Sequence, residues 1–355
     1  MVRWISFLPR AGRSAGIVVI AVCAFLLTCL LGDRLLPKRE LPWLVREKMA
    51  HLAAHGNDYN ALFIGSSRMQ DNIIPAVFDR DVDGQGFTIR SFNAGISGMY
   101  PPQDAYLLDQ ILHLKLTGIR WVFIELQTLQ TTLPRANRQT LQQLYWHDWP
   151  RFSLLCERFV ATQSRRHWRD RVAEVGERWP DFCDHVLLFV RRFTSLGRGS
   201  VLLNRWVFRE PITAEDWSLL GDYGDGWTPA GTHRGLDPQE TAALESDLEV
   251  RRKKPPVREA GDRVTQKALD LMIAKIQRAG ATPILIVPPT ARGTYFAPDP
   301  AQARNLVILN FCDPPKYPEL YLTKYRVDPS HLNAAGAEIF SHLLAQRFIE
   351  AVGRK

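Results

Sequence analysis

Apolar and polar positions fall into three regimes along the chain. The first is one continuous apolar run, Gly16 to Gly32 (GIVVIAVCAFLLTCLLG), with no charge in it. Its length lies at the short end of the ~17–25 residues that span a bilayer as a helix. The second regime holds short apolar runs stopped by turn residues: Ala61–Ile64 before Gly65, Thr88–Asn93 before Ala94-Gly95, Trp121–Leu126, Pro283–Val287 before Pro288-Pro289, and Leu306–Phe311. Runs of this kind predict buried strands. Between and after them, apolar residues recur at helical spacing: over Pro101–Leu114 (Ala105, Leu108, Ile111, Leu112), over Asp262–Ala279 and over Leu332–Val352. Strand, helix, strand at these intervals predicts a parallel sheet with crossover helices.

The third regime is Gln127 to Gly261, where this order breaks down. It holds seven of the ten tryptophans, many arginines and Gly/Pro clusters such as Gly221–Gly231 (GDYGDGWTPAG). It is too long for a loop inside a compact domain. The expected organisation is therefore residues 1–15 as an N-terminal segment, 16–32 as the membrane segment and 33–60 as a linker. An α/β body follows, made of 61–126 and 262–355 and interrupted by a partly helical insertion or cap at 127–261, with Arg251–Arg258 as its exit.

Composition narrows the class. The chain has 355 residues, 46% of them hydrophobic and 23% charged, which excludes disorder for its bulk. Five cysteines are too few for a disulfide scaffold. One spanning run excludes a polytopic membrane protein. Arg3, Arg10 and Arg13 precede that run with no acid, so the N-terminus is expected in the cytoplasm and the body outside. A cleaved signal peptide is the rival, but no A-x-A site follows. Cys29 follows Leu26, Leu27 and Thr28, a poor lipoprotein box because Thr is large for that place. Outside the membrane, a Cys156–Cys183 bridge and three buried thiols (with Cys312) are equal readings.

The net charge is +8, and between Arg151 and Glu210 twelve arginines face seven acids. Export argues against nucleic acid. A basic face beside an anionic leaflet or polymer is expected instead.

Three motifs carry chemistry. Ser66 and Ser67 follow a buried strand at Gly65, at the sheet edge where open α/β folds place ligands. A serine hydroxyl there needs a base and a group to orient that base. Asp328-Pro329-Ser330-His331 before the last helix offers both. Asn93-Ala94-Gly95-Ile96-Ser97-Gly98 after the second strand lets backbone approach a ligand closely, and its N–H groups suit an oxyanion. Taken singly, each motif is also what a helix cap or a tight turn looks like. No His/Cys/Asp cluster has metal-ligand spacing and no dinucleotide loop occurs, so neither metal nor cofactor is implied.

In this order and context the three motifs resemble the SGNH (GDSL-like) hydrolase superfamily, over about Ala61–Leu126 and Thr282–Val352. Within it, the anchor, Gly65-Ser66-Ser67, Ile286–Pro289 and Asp328–His331 look most like membrane-tethered exported members. Those include proteins of alginate O-acetylation and lipoteichoic-acid D-alanylation. The resemblance implies a three-layer αβα sandwich with a mostly parallel five-stranded sheet. It also implies Ser67 as nucleophile, His331 as general base, Asp328 as its orienter, and the Ser67 and Gly98 N–H groups as oxyanion donors. Ser66 stands where the family motif has Asp. Where the family has Gly-x-Asn-Asp, this chain has Glu125-Leu126-Gln127-Thr128, so Gln127 is the one amide available to replace the Asn.

The resemblance points to a membrane-anchored extracytoplasmic serine esterase or O-acyltransferase, acetyl being the expected group, acting on a polysaccharide. A membrane-bound O-acyltransferase is the expected partner. The competing class is a non-catalytic assembly or polymer-binding protein, favoured by the missing Asn. A lipase at the membrane surface has only the anchor behind it. The insertion's Trp and Arg residues suit either polymer stacking or a packed cap.

Overall fold

The computed structural model describes residues 10–35, 41–133, 138, 141–161, 168–194, 220–230, 237–298 and 303–353. The N-terminal segment before Arg10 and part of the linker lie outside the described residues. The helices are α1 (Arg10–Leu35), α2 (Trp43–His55), α3 (Ser67–Gln70), α4 (Pro75–Asp83), α5 (Gln103–His113), α6 (Leu141–Leu144), α7 (Trp149–Val160), α8 (Trp168–Phe193), α9 (Pro238–Lys253), α10 (Arg263–Arg278) and α11 (Ala334–Val352). The strands are β1 (Ala61–Ile64), β2 (Ser91–Asn93), β3 (Trp121–Glu125), β4 (Val257–Glu259), β5 (Thr282–Val287), β6 (Thr294–Phe296) and β7 (Val307–Asn310).

Five strands form one sheet in the order β2-β1-β3-β5-β7, and every pairing in it is parallel. The strands are apolar on both faces because helices cover both. On one face, Phe63 and Phe123 stack at 4.5 Å and meet Phe78 of α4 and Phe348 of α11. On the other, Ile124 lies with Ala105 of α5 and Ala268 and Met272 of α10. β1 is the switch point of this order: the chain leaves it towards β2 on one side and returns as β3 on the other. The crevice beyond such a point is where open parallel sheets bind ligands. β4 and β6 pair separately, also in parallel.

The expected second strand is shorter than Thr88–Asn93 because the backbone before Ser91 bonds elsewhere. The Arg90 carbonyl accepts from Asn60 and Ala61, and the Thr88 carbonyl accepts from the Asn60 side chain. The stretch expected to be a linker carries α2, which buries Val45, Lys48 and Leu52. That i, i+3, i+7 spacing is a core face, so α2 belongs to the body.

The chain divides into two compact units, one of residues 42–131 with 216–355, the other of residues 1–41 with 132–215. Residues 127–131 and 216–261, expected within the insertion, therefore group with the sheet. α9 shows why: an Asp237–Glu240 capping box starts it, and Leu244 and Leu248 join the main core.

In the other unit, α7 and α8 pack through stacked rings, Phe152 on Phe189 and Phe159 on Phe182. His147 and His185 lie buried there, Nε2 to Nδ1 at 2.9 Å. α1 carries one apolar stretch, Ser14–Gly32, long enough to cross a membrane. The Cys156–Cys183 bridge is not formed. Cys183 is exposed and Cys156 half-buried, so of the three thiols outside α1 only Cys312 is buried.

Candidate functional site

The site is built on the turn after β1. Gly65 ends the strand, and a Cβ there would sit 2.6 Å from Glu125 Oε2 and 2.4 Å from the Met69 side chain. Only glycine fits. Ser66 then caps α3, its Oγ accepting from the Arg68 N–H at 3.2 Å. The Glu125 carboxylate, with no exposed side-chain surface, clamps both sides of the turn. Its Oε2 accepts from the Ser66 N–H at 2.6 Å, and its Oε1 pairs with Arg68 Nη2 at 2.7 Å. Ser67 is thus held as the first residue of α3.

The Asp328–His331 turn is brought to it from the far end of the sequence. Ser67 Oγ lies 2.7 Å from His331 Nε2, and His331 Nδ1 lies 2.7 Å from Asp328 Oδ2. An ionised carboxylate only accepts, so the proton sits on Nδ1 and leaves Nε2 free to accept from the serine. Asp328 Oδ1 accepts from the Ser330 and His331 N–H groups at 2.6 and 2.9 Å. Burial alone would raise the Asp328 pKa. The His331 hydrogen bond and charge and the two backbone donors outweigh it and hold the pKa at about 2. The turn is fixed from outside by the buried Arg326 guanidinium, which donates to the carbonyls of Leu320 (2.7 Å), Pro329 (2.8 Å) and Asp328 (3.2 Å). Asn72 Oδ1 accepts from the Leu332 N–H at 2.9 Å, tying the base's turn to the segment after α3.

The loop Asn93–Gly98 lies against α3. A Cβ on Gly95 would stand 2.6 Å from the Gln70 backbone nitrogen. Gln70 Oε1 accepts from the Ser97 N–H at 3.0 Å, and Gly98 takes φ +71. The N–H groups of Ser67 and Gly98 have no hydrogen-bond partner among the described residues. Asn93 itself is fully engaged: Nδ2 donates to the carbonyls of Met69, Gln70 and Ile73, and Oδ1 accepts from the Gly95 N–H. Gln127 does not join the site. Both its amide atoms are buried without a partner, in an enclosed cavity lined by Pro102, Asp104, Thr265 and Met272. The reason is local. Leu126 continues the ladder with its N–H on the Ile286 carbonyl, and Gln127 faces α5 and α10.

Besides Glu125, Arg326 and Asn72, three further supports escaped the sequence reading. Lys48 of α2 is 1% exposed, and its Nζ donates to the carbonyls of Asn93 (2.9 Å), Gly95 (2.7 Å) and Gly226 (2.8 Å). Burial pulls its pKa down to about 7, against the charges of Asp71 and Asp225 that hold it up. The segment Asp225–Thr228 wraps α3. The Trp227 indole donates to the Asp71 carbonyl at 2.9 Å, and Gln70 Nε2 donates to Thr228 Oγ1 at 2.9 Å. Asp71 lies among these groups, its carboxyl pushed up to about 6 by burial, with the His331 and Lys48 charges opposing. A readable signal existed for Lys48 alone, a charge on the buried stripe of an amphipathic helix.

Among the described residues, no group of three or more His, Cys, Asp or Glu side chains is placed to hold a metal. Scans of the sequence against known protein families and against curated proteins gave no match.

Proposed function

We propose that this chain is a membrane-anchored extracytoplasmic serine esterase or O-acyltransferase of the SGNH type, with the three-layer αβα body of that class. The observation that carries the reading is the unbroken line Ser67 Oγ–His331 Nε2/Nδ1–Asp328 Oδ2, with 2.7 Å at both joints. In this reading Ser67 Oγ attacks an ester carbonyl while its proton passes to His331 Nε2. The negative charge that develops on the carbonyl oxygen is met by the Ser67 and Gly98 N–H groups. Collapse expels the alcohol, which takes the proton from His331, and leaves Ser67 acylated. Water, or a hydroxyl of an acceptor, gives its proton to His331 and attacks the acyl group; collapse breaks the ester bond to Ser67 Oγ, which takes that proton back from His331. Water as acceptor makes an esterase; a sugar hydroxyl makes a transferase.

The substrate proposed is an acylated, in the first instance acetylated, cell-surface or exported polysaccharide. Besides the family resemblance, one feature supports it. Tyr223, 65% exposed, lies two residues before the segment that wraps α3, its ring 6.4 Å from Trp227 of that segment, and offers a ring face of the kind sugars stack on. Arg3, Arg10 and Arg13, ahead of the apolar stretch Ser14–Gly32, favour an extracytoplasmic body on a cytoplasmic membrane, where a membrane-bound O-acyltransferase is the proposed donor of acyl groups.

The test uses the full chain in detergent with a fluorophosphonate probe and a chromogenic acetyl ester, beside Ser67→Ala and His331→Ala. Labelling and turnover are expected in the wild type and absent in both variants. A folded wild type that neither labels nor turns over would overturn the enzyme reading in favour of an assembly or polymer-binding protein.

A further inference from the structure

The helix α8 carries two apolar faces: one packs against α7, and the other is largely exposed among the described residues. Phe182, His185, Leu188 and Phe189 turn towards α7 and the buried histidines. The second face holds Trp168, Val172, Val186 and Leu187, which are 66, 61, 36 and 47% exposed, with Trp179 and Phe193, 55 and 43% exposed, whose rings also reach Phe159 of α7 and Phe189 at 5.9 and 5.0 Å. These positions, with Gly176 and Cys183 between them, recur at intervals of three and four residues. They form a stripe about 120° wide that runs the whole helix, roughly 39 Å. A stripe of this length is larger than the scattered apolar residues of ordinary surfaces and calls for a partner.

The geometry points to the surface of an anionic bilayer as that partner, with α8 lying in the interface plane. Two further observations select lipid over protein or sugar. The stripe belongs to the same compact unit as the membrane-spanning helix α1, so a bilayer is tethered to it at high effective concentration. The charges are also arranged for lipid. Arg169 stands at one end of α8, and Arg191 and Arg192 at the other. All five acids of α8 fall off the stripe by helical spacing, and three of them are paired: Asp181 and Asp184 bind Arg138 at 3.1 and 2.9 Å, and Glu174 binds Arg178. An apolar face with cations near both ends and the acids kept to the other side of the helix is the pattern of an interfacial helix. A sugar platform would instead set polar side chains around its tryptophans, and this stripe sets valine and leucine there.

This inference rests on the proposed anchor and not on the triad. Cys183, exposed on the stripe, offers the probe site. The full chain, with Cys23, Cys29 and Cys156 replaced by Ala, is reconstituted in vesicles of phosphatidylcholine and phosphatidylglycerol and spin-labelled at Cys183. A second sample carries the label at Glu177→Cys with Cys183→Ala. Power saturation then compares access of oxygen with access of a water-soluble nickel complex. The expected result is an oxygen-to-nickel access ratio severalfold higher at 183 than at 177. Equal ratios in chains that float with the vesicles would overturn the inference and leave the anchor standing. Strong spin–spin broadening at 183 without oxygen access would overturn it in favour of a second copy. Chains that fail to float would overturn both the anchor and the inference.

Discussion

The Lys48 ammonium donates to the Gly95 carbonyl across 2.7 Å, joining α2 to the loop that carries Gly98, the second of the proposed oxyanion donors. The same nitrogen holds the Asn93 and Gly226 carbonyls. Three acceptors match the three N–H bonds of an ammonium, and no other side chain of that length offers three. Lys48→Met keeps the apolar stem and Val45 and Leu52 beside it, so α2 should remain packed. The loop then loses its brace. Turnover of a small ester is expected to fall by about 10²–10³, the size of losing one oxyanion donor, with KM little changed. An unchanged kcat in a folded Lys48→Met chain would show that the loop holds its shape without the lysine.

In the proposed triad Asp328 orients His331, the base, through the 2.7 Å bond to Nδ1. Asp328→Asn preserves the shape of the turn, but an amide can present its N–H₂ to Nδ1 and so favour the tautomer with the proton on Nε2. That tautomer cannot accept from Ser67. A loss of about 10³–10⁴ in kcat is expected, with fluorophosphonate labelling slowed to match and thermal stability little changed. A small loss would mean that the ring is oriented by its packing rather than by the carboxylate.

Three carboxyls around the loop give the fold an unusual pH response. Burial raises Asp79 to about 7 and Asp71 to about 6, and it raises Asp225 also. In the unfolded chain all three titrate in the ordinary carboxylate range. The native state therefore binds more protons between the two ranges, and stability is lost as pH rises from about 4 towards 7. Lys48 acts the other way and at higher pH: its folded pKa near 7 lies below the unfolded value of 10.5, so stability is gained as pH rises above 7. Buried His147, held down to about 2, and His51, lowered by burial, pull the other way up to the ordinary imidazole range. Three raised carboxyls outweigh them, so urea midpoints are expected to be higher at about pH 5 than at about pH 7. Asp79→Asn should flatten the difference, since Ser91 keeps an oxygen to bond and the charge is gone. A midpoint that rises steadily from pH 5 to 7 would contradict the assignment.

Local signals carried much of the architecture. Ala61–Ile64 and Pro283–Val287 announce themselves as buried strands because helices cover both faces, and Gly65 and Pro288 mark their ends. Asp328, His331 and the pair Ser66 and Ser67 could be singled out because each sits at a punctuated turn, and the resemblance pointed to Ser67 of the two. What stayed hidden depends on contacts between distant segments. Glu125 looks like a strand-terminal acid until its carboxylate is seen holding the Ser66 N–H and Arg68. Asp225–Thr228 looks like a glycine-rich loop until Gly226, at φ +85, is seen packed where a Cβ would stand 2.2 Å from the Asn93 carbonyl oxygen. No periodicity encodes such an approach. Gln127 shows the converse error: its place in the sequence offered an amide to the oxyanion, and its side chain turns instead to the cavity behind the sheet.

Tyr223 separates the polymer reading from a small-ester enzyme. Its ring is exposed, yet the segment that follows it is fixed beside the site. Trp227 stacks near it at 6.4 Å, and the Asp225 carbonyl accepts from the Asn93 N–H at 2.8 Å. Removing the ring touches neither Ser67 nor the loop at Gly98. Tyr223→Ala should therefore leave kcat and KM for a chromogenic acetyl ester unchanged. With an acetylated polysaccharide, loss of one stacking face is expected to raise KM by about tenfold, in line with the ~0.5–1.5 kcal/mol of an aromatic contact beyond its buried area. Tyr223→Phe should restore the polymer KM, because the ring face and not the hydroxyl does the binding. Equal effects on both substrates would place Tyr223 in the support of the site. No effect on either would remove the structural argument for a sugar at this surface and leave the resemblance as its sole basis.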